Sequence, residues 1–327
     1  MNRSYLNRYA FSRLTIAAIL CGCGGSQPPI GAPGTIPPTS AYATRAERGR
    51  SWMLPEATGE DLLYVDSRYT GEVYAYGYPS GRLIGILKGF SRPQGLCSDA
   101  KGDVWITTDV GGSYSSGKIF EYAHGGKERI ATLDDSGNSP RACSVSPTTG
   151  DLAVANYSSQ NGRGDGNLAI YAHARGTPKL YGPDGVEPFS CSYDDKGDVF
   201  VAGQTGVYTA DVVWLPKDSP RVQKFRLRPH VYAHYGVQWD GEHLAVAFRD
   251  DHLYQYTVAG STGEQVGETE ITHDFANFWI QGSTILGTSL QHVEFWPYPS
   301  GGRHTKIILG PKHAASLSGV TVSLTPK

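Results

Sequence analysis

Apolar positions in this chain come in short runs, not in stretches long enough for a helix. Ile119-Phe120-Glu121-Tyr122 and Leu253-Tyr254-Gln255-Tyr256 each place apolar and aromatic residues around one polar position, and Gly102-Asp103-Val104-Trp105-Ile106-Thr107 opens a longer run with a turn signal. Short alternating runs bounded by Gly and Asp predict strands with two faces to pack. No helix of useful length is predicted anywhere.

The runs repeat. Pro93-Gln94-Gly95-Leu96-Cys97-Ser98, Pro140-Arg141-Ala142-Cys143-Ser144 and Pro188-Phe189-Ser190-Cys191-Ser192 are each followed by a Gly-Asp turn and an apolar run, and weaker copies fall around 236–247 and 277–288. The turn glycines Gly59, Gly102, Gly150, Gly197, Gly241 and Gly282 are 41 to 48 residues apart. The aromatics Tyr76, Tyr122, Tyr171, Trp214, Tyr256 and Trp296 keep the same register, 40 to 49 apart, and Tyr-Pro-Ser-Gly recurs at 78–81 and 298–301. A period in the forties with about four strands per unit predicts a β-propeller. Six units give an all-β, six-bladed β-propeller over residues 59–327. The first unit lacks its inner strand, and Ser318-Gly319-Val320-Thr321-Val322-Ser323 has the pattern to supply it, so the C-terminus is expected to close the first blade. Closure hides strand edges that would otherwise pair with other chains.

Composition narrows the function classes. With 29 Lys plus Arg against 31 Asp plus Glu, the net charge is −2, so the basic surplus of a nucleic-acid binder is missing. Gly (41 residues) and Tyr (20) are abundant while Met numbers 2, which fits turns and strands.

The N-terminus reads as an address. Arg3, Arg8 and Arg13 precede the apolar run Leu14–Leu20, far shorter than the ~20 residues of a spanning helix. This is the layout of a secretory signal. Leu20-Cys21-Gly22-Cys23 resembles the bacterial lipoprotein signal, which implies a signal peptide over 1–22, lipidation at Cys23, and a membrane-anchored, extracytoplasmic chain in the cell envelope. Residues 24–40 hold five Pro and four Gly, so 23–58 is expected to be a Pro/Gly-rich tether, with 41–58 readable either as linker or as a strap on the domain.

The unit Pro93–Asp109 resembles the NHL repeat and the blades of the gluconolactonase family. That resemblance implies a metal-dependent lactonase site held by acidic and Asn side chains at the starts of inner strands. The matching positions here are Gln94, Arg141, Phe189, Tyr235, Ala276 and Ser318, none of them a carboxylate or Asn, which argues against carrying that site over.

Chain direction puts two kinds of loop on one face: those leading into first strands and those joining second to third strands. The long loops 108–118 and 156–167 lie there, and function favours long loops on a rigid scaffold. On this face lie His230, His234, His273 and His313, with His252 and His292 at matching starts of third strands. Imidazoles at a mouth can hold a divalent metal, with His234, His273 and His313 the candidate ligands. Around the mouth, Arg92, Gln94, Arg141, Glu187, Phe189, His234, Tyr235, His273 and Asn277 form a candidate ligand-binding set, in which guanidinium groups can fork onto anions. From the repeat, Cys97, Cys143 and Cys191 are expected to occupy one blade position in three successive blades. They read first as small buried fillers, with a Cys97–Cys143 or Cys143–Cys191 bridge or a thiolate metal site as alternatives, since neighbouring inner strands are expected to lie too far apart for a bridge.

No catalytic motif of the common hydrolase, metalloprotease or nucleotide-binding kinds is present. The leading expectation is a binding or scaffold module for a protein, glycan or small-molecule ligand, without a cofactor. Phe189, Tyr232, Tyr235, Phe275 and Phe278 near the mouth favour it. The alternative is a metal-dependent hydrolase or lyase at the channel mouth, and a third is a propeller packed into a larger envelope assembly.

Overall fold

The structure, a computed structural model, describes residues 49–109, 116–159, 166–182, 185–206, 209–229, 234–248, 250–272, 275, 277–310 and 316–327, with the backbone alone at 234 and 235. Its strands in chain order are β1 (Trp52–Met53), β2 (Leu62–Ser67), β3 (Glu72–Gly77), β4 (Leu83–Lys88), β5 (Pro93–Ser98), β6 (Val104–Asp109), β7 (Ser116–Tyr122) and β8 (Arg129–Ser136). They continue with β9 (Ser139–Val145), β10 (Leu152–Ser158), β11 (Asn167–Tyr171), β12 (Lys179–Tyr181), β13 (Glu187–Tyr193), β14 (Val199–Gln204), β15 (Ala210–Leu215), β16 (Gln223–Lys224) and β17 (Arg226–Arg228). The remainder are β18 (His234–Trp239), β19 (Leu244–Phe248), β20 (His252–Ala259), β21 (Thr262–Glu270), β22 (Asn277–Gln281), β23 (Thr284–Thr288), β24 (His292–Pro297), β25 (Lys306–Leu309) and β26 (Leu317–Ser323).

These strands form six sheets, the blades of a six-bladed β-propeller. Blades 2, 3, 4 and 6 are four consecutive antiparallel strands each. Blade 1 is ordered β26-β2-β3-β4-β1, so the C-terminal strand is its inner strand, as the sequence predicts. Of the two readings of 41–58, the strap holds for its last part: Trp52 and Met53 pair with Ile86 and Gly85 on the outer edge of blade 1. Blade 5 gains β17 as an outer parallel strand beside β21.

The two repeat series have separate physical roles. Gly102, Gly150, Gly197, Gly241 and Gly282 turn the first strand into the second with φ between +57° and +105°, a region costly for other residues. Gly59 closes a 3₁₀ turn instead, because no inner strand precedes it in the chain. The six aromatics lie in the third strands and are all buried. Hydrophobic clusters then fill each seam between neighbouring blades.

Around the axis neighbouring blades are also stitched by specific bonds. Ser98 Oγ donates to Val322 O (2.7 Å), Tyr193 N to Ser144 Oγ (3.0 Å), Trp239 N to Ser192 Oγ (2.8 Å), Ile280 N to Gln238 Oε1 (2.7 Å) and Thr288 Oγ1 to Ser318 O (2.7 Å). The seam between blades 2 and 3 carries a covalent stitch, a Cys97–Cys143 disulfide with Cα atoms 5.6 Å apart.

That bridge corrects the expectation that these cysteines are unbridged fillers of one shared slot. Cys143 and Cys191 pair with Val154 and Val201, whereas Cys97 pairs with Trp105, one residue out of step with them. In a strand a one-residue step reverses the face. Cys97 therefore faces blade 3 while Cys143 faces blade 2. Cys191 is left free and buried, for across its seam the slot equivalent to Cys97 is Ser144.

Candidate functional site

The Pro-x-Gly pattern is a β-bulge. Pairing skips one residue between Pro93 and Gly95, between Pro140 and Ala142, between Pro188 and Ser190, and between His234 and Gly236. The skipped residues are Gln94, Arg141, Phe189 and Tyr235, all in the candidate set. A bulge leaves its extra residue unpaired and re-aims its side chain. The closing strand carries its own irregularity, where Ser67 pairs with Leu317 and Val65 with Val320. In blade 6 the matching residue, Ala276, lies outside the described residues; next to it Asn277 pairs with Thr288 and accepts from Phe278 N through Oδ1 (2.8 Å).

The residue after the bulge is small because the next blade is close. A Cβ on Gly95 would lie 2.3 Å from Arg141 O, and one on Gly319 would lie 2.9 Å from Gly95 Cα and from Leu96 N. The ring of bulges is therefore tightly wedged, and it carries the mouth side chains on rigid backbone.

Two of those side chains meet. Arg141 of blade 3 lies over the Phe189 ring of blade 4, its guanidinium carbon 4.5 Å from the centroid, and 5.1 Å from that of Tyr157. Tyr157 and Phe189 stack on each other at 5.4 Å. All three are half-buried. The sequence does not single out Tyr157, which sits in the stretch read as a long loop; β10 in fact runs on to Ser158.

A polar lattice holds the strand end that carries Tyr157. Asn138 Nδ2 donates to Asp135 Oδ1 (2.8 Å), Asn167 Nδ2 to Asn138 Oδ1 (2.8 Å) and Asn156 Nδ2 to Asn167 Oδ1 (2.9 Å). All four residues are buried, and burial raises the Asp135 carboxyl above the usual range while the Asn138 bond opposes the shift. On the far side of the mouth, Asp66 is fully buried under the closing strand and accepts Ser318 Oγ and Gly319 N (3.0 Å). Desolvation lifts its pKa to about 6 against those bonds.

The other candidates are more scattered. Arg92 (φ +47°) and the buried Gln94 sit where the chain turns into blade 2, and Glu187 begins β13 two residues before Phe189. His234 and Tyr235 begin β18, where the backbone alone is described. His230, His273, His313, Tyr232, Ala276 and most of the two long loops lie outside the described residues. His252 and His292 do begin third strands, but each faces a carboxylate: His252 Nε2 is 3.1 Å from Glu268, and His292 Nε2 is 2.6 Å from Glu294. Among the described residues no group of three or more His, Cys, Asp or Glu side chains is placed to hold a metal ion.

A cavity of about 310 Å³ lies on the axis, lined by parts of all six inner strands from Asn277 down to Pro147, Asp195 and Asp240 in the short turns. Many polar groups there, Ser144, Ser192 and Gln238 among them, are committed to the stitches between blades.

No protein-family model matches the chain, and no curated protein matches it. Solved structures do. A chain of a nidogen/laminin complex superimposes with a TM-score of 0.60 at 11% identity, over 82% of this chain and 100% of that one. The β-propeller domain of Cps50 (Swd1) from Myceliophthora thermophila gives 0.51 at 11% identity, over 81% and 87%. The chain is a β-propeller. At such identity the likeness concerns fold, since one propeller scaffold serves many functions.

Proposed function

We propose that this chain is an extracytoplasmic lipoprotein, anchored through Cys23, whose propeller of NHL-like blades binds an anionic ligand at the long-loop mouth. The observation that carries the binding site is the Arg141–Tyr157–Phe189 cluster on the seam of blades 3 and 4. A guanidinium stacked over aromatic rings is a common partner for a carboxylate or phosphate, which its fork of donors matches in shape and charge. Half-buried aromatic rings beside it suit the flat apolar side of a sugar or aromatic group. The Cys97–Cys143 disulfide supports placement outside the cytoplasm, where such bonds persist. Acidic glycans and acidic peptides have the chemistry this site recognises.

An array of uronic-acid and neutral glycans, with acidic and neutral peptides, tests this reading. Acidic members are expected to bind, and Arg141→Ala to weaken them at least tenfold with an unchanged melting temperature. Binding of neutral members alone, or equal binding by the variant, would contradict the assignment.

A further inference from the structure

The three most exposed large hydrophobic side chains among the described residues are Tyr69 (78% exposed), Leu309 (74%) and Leu290 (73%). Tyr69 is 221 residues from Leu290 and 240 from Leu309 in the chain, yet the fold brings their segments together. Tyr69 lies in the turn between β2 and β3, Leu290 in that between β23 and β24, and Leu309 ends β25. By strand direction, all three positions are on the long-loop face of blades 6 and 1. Backbone bonds connect their segments: Arg68 N to Ser316 O (3.3 Å), Ser316 N to Leu290 O (2.7 Å) and Gly310 N to Gln291 O (2.8 Å). Exposed apolar residues gathered at one corner mark a contact surface.

Where the N-terminal chain arrives identifies the partner. β1 runs antiparallel to β4, and Lys88 N donates to Ser51 Oγ (2.9 Å) at the end of β4. The chain therefore comes onto blade 1 at its long-loop face, the same face and blade as Tyr69. We infer that this corner, Tyr69, Leu290 and Leu309, rests in the interface of the lipid bilayer to which the chain is anchored. The inference rests on the lipoprotein reading above. The 25 residues from 24 to 48 reach at most about 90 Å even when fully extended, so the anchor confines the propeller to the neighbourhood of the bilayer. Three side chains present on the order of 400 Å², short of the ~800 Å² per side that a stable protein interface buries. Tyr suits a boundary that is apolar below and wet above. The propeller would then lean on blades 6 and 1, which lifts the Arg141–Phe189 seam, on the opposite side of the ring, away from the surface.

The test uses the mature full chain in vesicles of phosphatidylethanolamine and phosphatidylglycerol carrying a photoactivatable acyl chain. Crosslinks are mapped by mass spectrometry, and lipidation of Cys23 is read from the N-terminal peptide. Labelling concentrated on peptides containing residues 69, 290 and 309, and reduced at least fivefold in the Y69S/L290S/L309S variant while that variant stays anchored and folded, supports the inference. Labelling spread around the ring or confined to the short-turn face overturns it, as does a patch shielded by a bound protein. If Cys23 carries no lipid, the lipoprotein reading has failed, and flotation of the unlipidated full chain with the same vesicles decides the patch by itself. Flotation lost in the triple variant supports a lipid-contacting corner; no flotation of the parent chain overturns it.

Discussion

Removing the Cys97–Cys143 bridge should destabilise the ring by an amount that can be worked from its topology. The bond joins positions 46 residues apart. Closing a loop of that length removes unfolded-state entropy equivalent to about 4 kcal/mol at 25 °C. The described propeller spans residues 49 to 327, so unfolding carries an entropy near 0.6 kcal/mol per kelvin, and 4 kcal/mol corresponds to a fall in Tm of about 7 °C. Replacing both cysteines with Ala also removes two buried sulfurs, and Cys191→Ala calibrates that packing loss. Cys191 occupies the slot equivalent to Cys143, and each thiol position faces a backbone carbonyl of the preceding blade, Ala153 O and Trp105 O. Calorimetry on the parent, C191A and C97A/C143A chains separates the two contributions, and reductant added to the parent should reproduce the loss due to the bridge. The reasoning fails if C97A/C143A melts within 2 °C of C191A, or if both thiols of the unreduced parent react with an alkylating reagent.

Three further outcomes follow from other parts of the ring. Burial lifts the Asp66 pKa to about 6 in the folded state against 3.8 for an ordinary aspartate, so the folded state holds its proton more tightly. Its contribution is fully present below about pH 4 and is lost as pH rises through 6, by at most about 3 kcal/mol. Urea unfolding at about pH 4 and about pH 7 should show that decline in the parent and not in D66N; parallel pH profiles would count against it. Gly95→Ala pushes a methyl into Arg141 O and should cost about 2 kcal/mol by the same assay, with no cost showing that the bulge ring yields more readily than its spacing implies. Val320→Asp puts a carboxylate into the 2%-exposed inner face of the closing strand and should cost at least about 3 kcal/mol. Size-exclusion chromatography should then show association through freed strand edges, and a monomeric variant of parental stability would contradict the closure.

Much of this architecture is legible in the sequence because each blade must repeat two things locally. A turn from first to second strand needs a residue that tolerates positive φ, hence Gly102 to Gly282. A seam needs a large side chain on every third strand, hence Tyr76 to Trp296. The closing strand is legible because an alternating apolar segment at the C-terminus matches a strand missing at the start. What escapes notice depends on register between strands. The disulfide is encoded in one extra residue: Cys97 follows its Pro by four positions, Cys143 and Cys191 by three. That difference decides which face each sulfur takes, and it is easily read as noise in an imperfect repeat. The bulges need pairing partners before they can be seen, although their residues, Gln94, Arg141, Phe189 and Tyr235, stand in a recognisable motif. Tyr157 joins Phe189 across a seam 32 residues distant in the chain, and no local pattern marks such a contact.

The placement of the whole molecule in the cell envelope is tested most directly by one intact-mass measurement. The full-length chain would be expressed in a bacterial host, its free thiols blocked at lysis, and the membrane and soluble fractions weighed separately. The account predicts a membrane-bound species that lacks residues 1–22, carries acyl chains on Cys23, and is two hydrogens lighter for the Cys97–Cys143 bond. A soluble, unlipidated chain with Cys97 and Cys143 both blocked would contradict it.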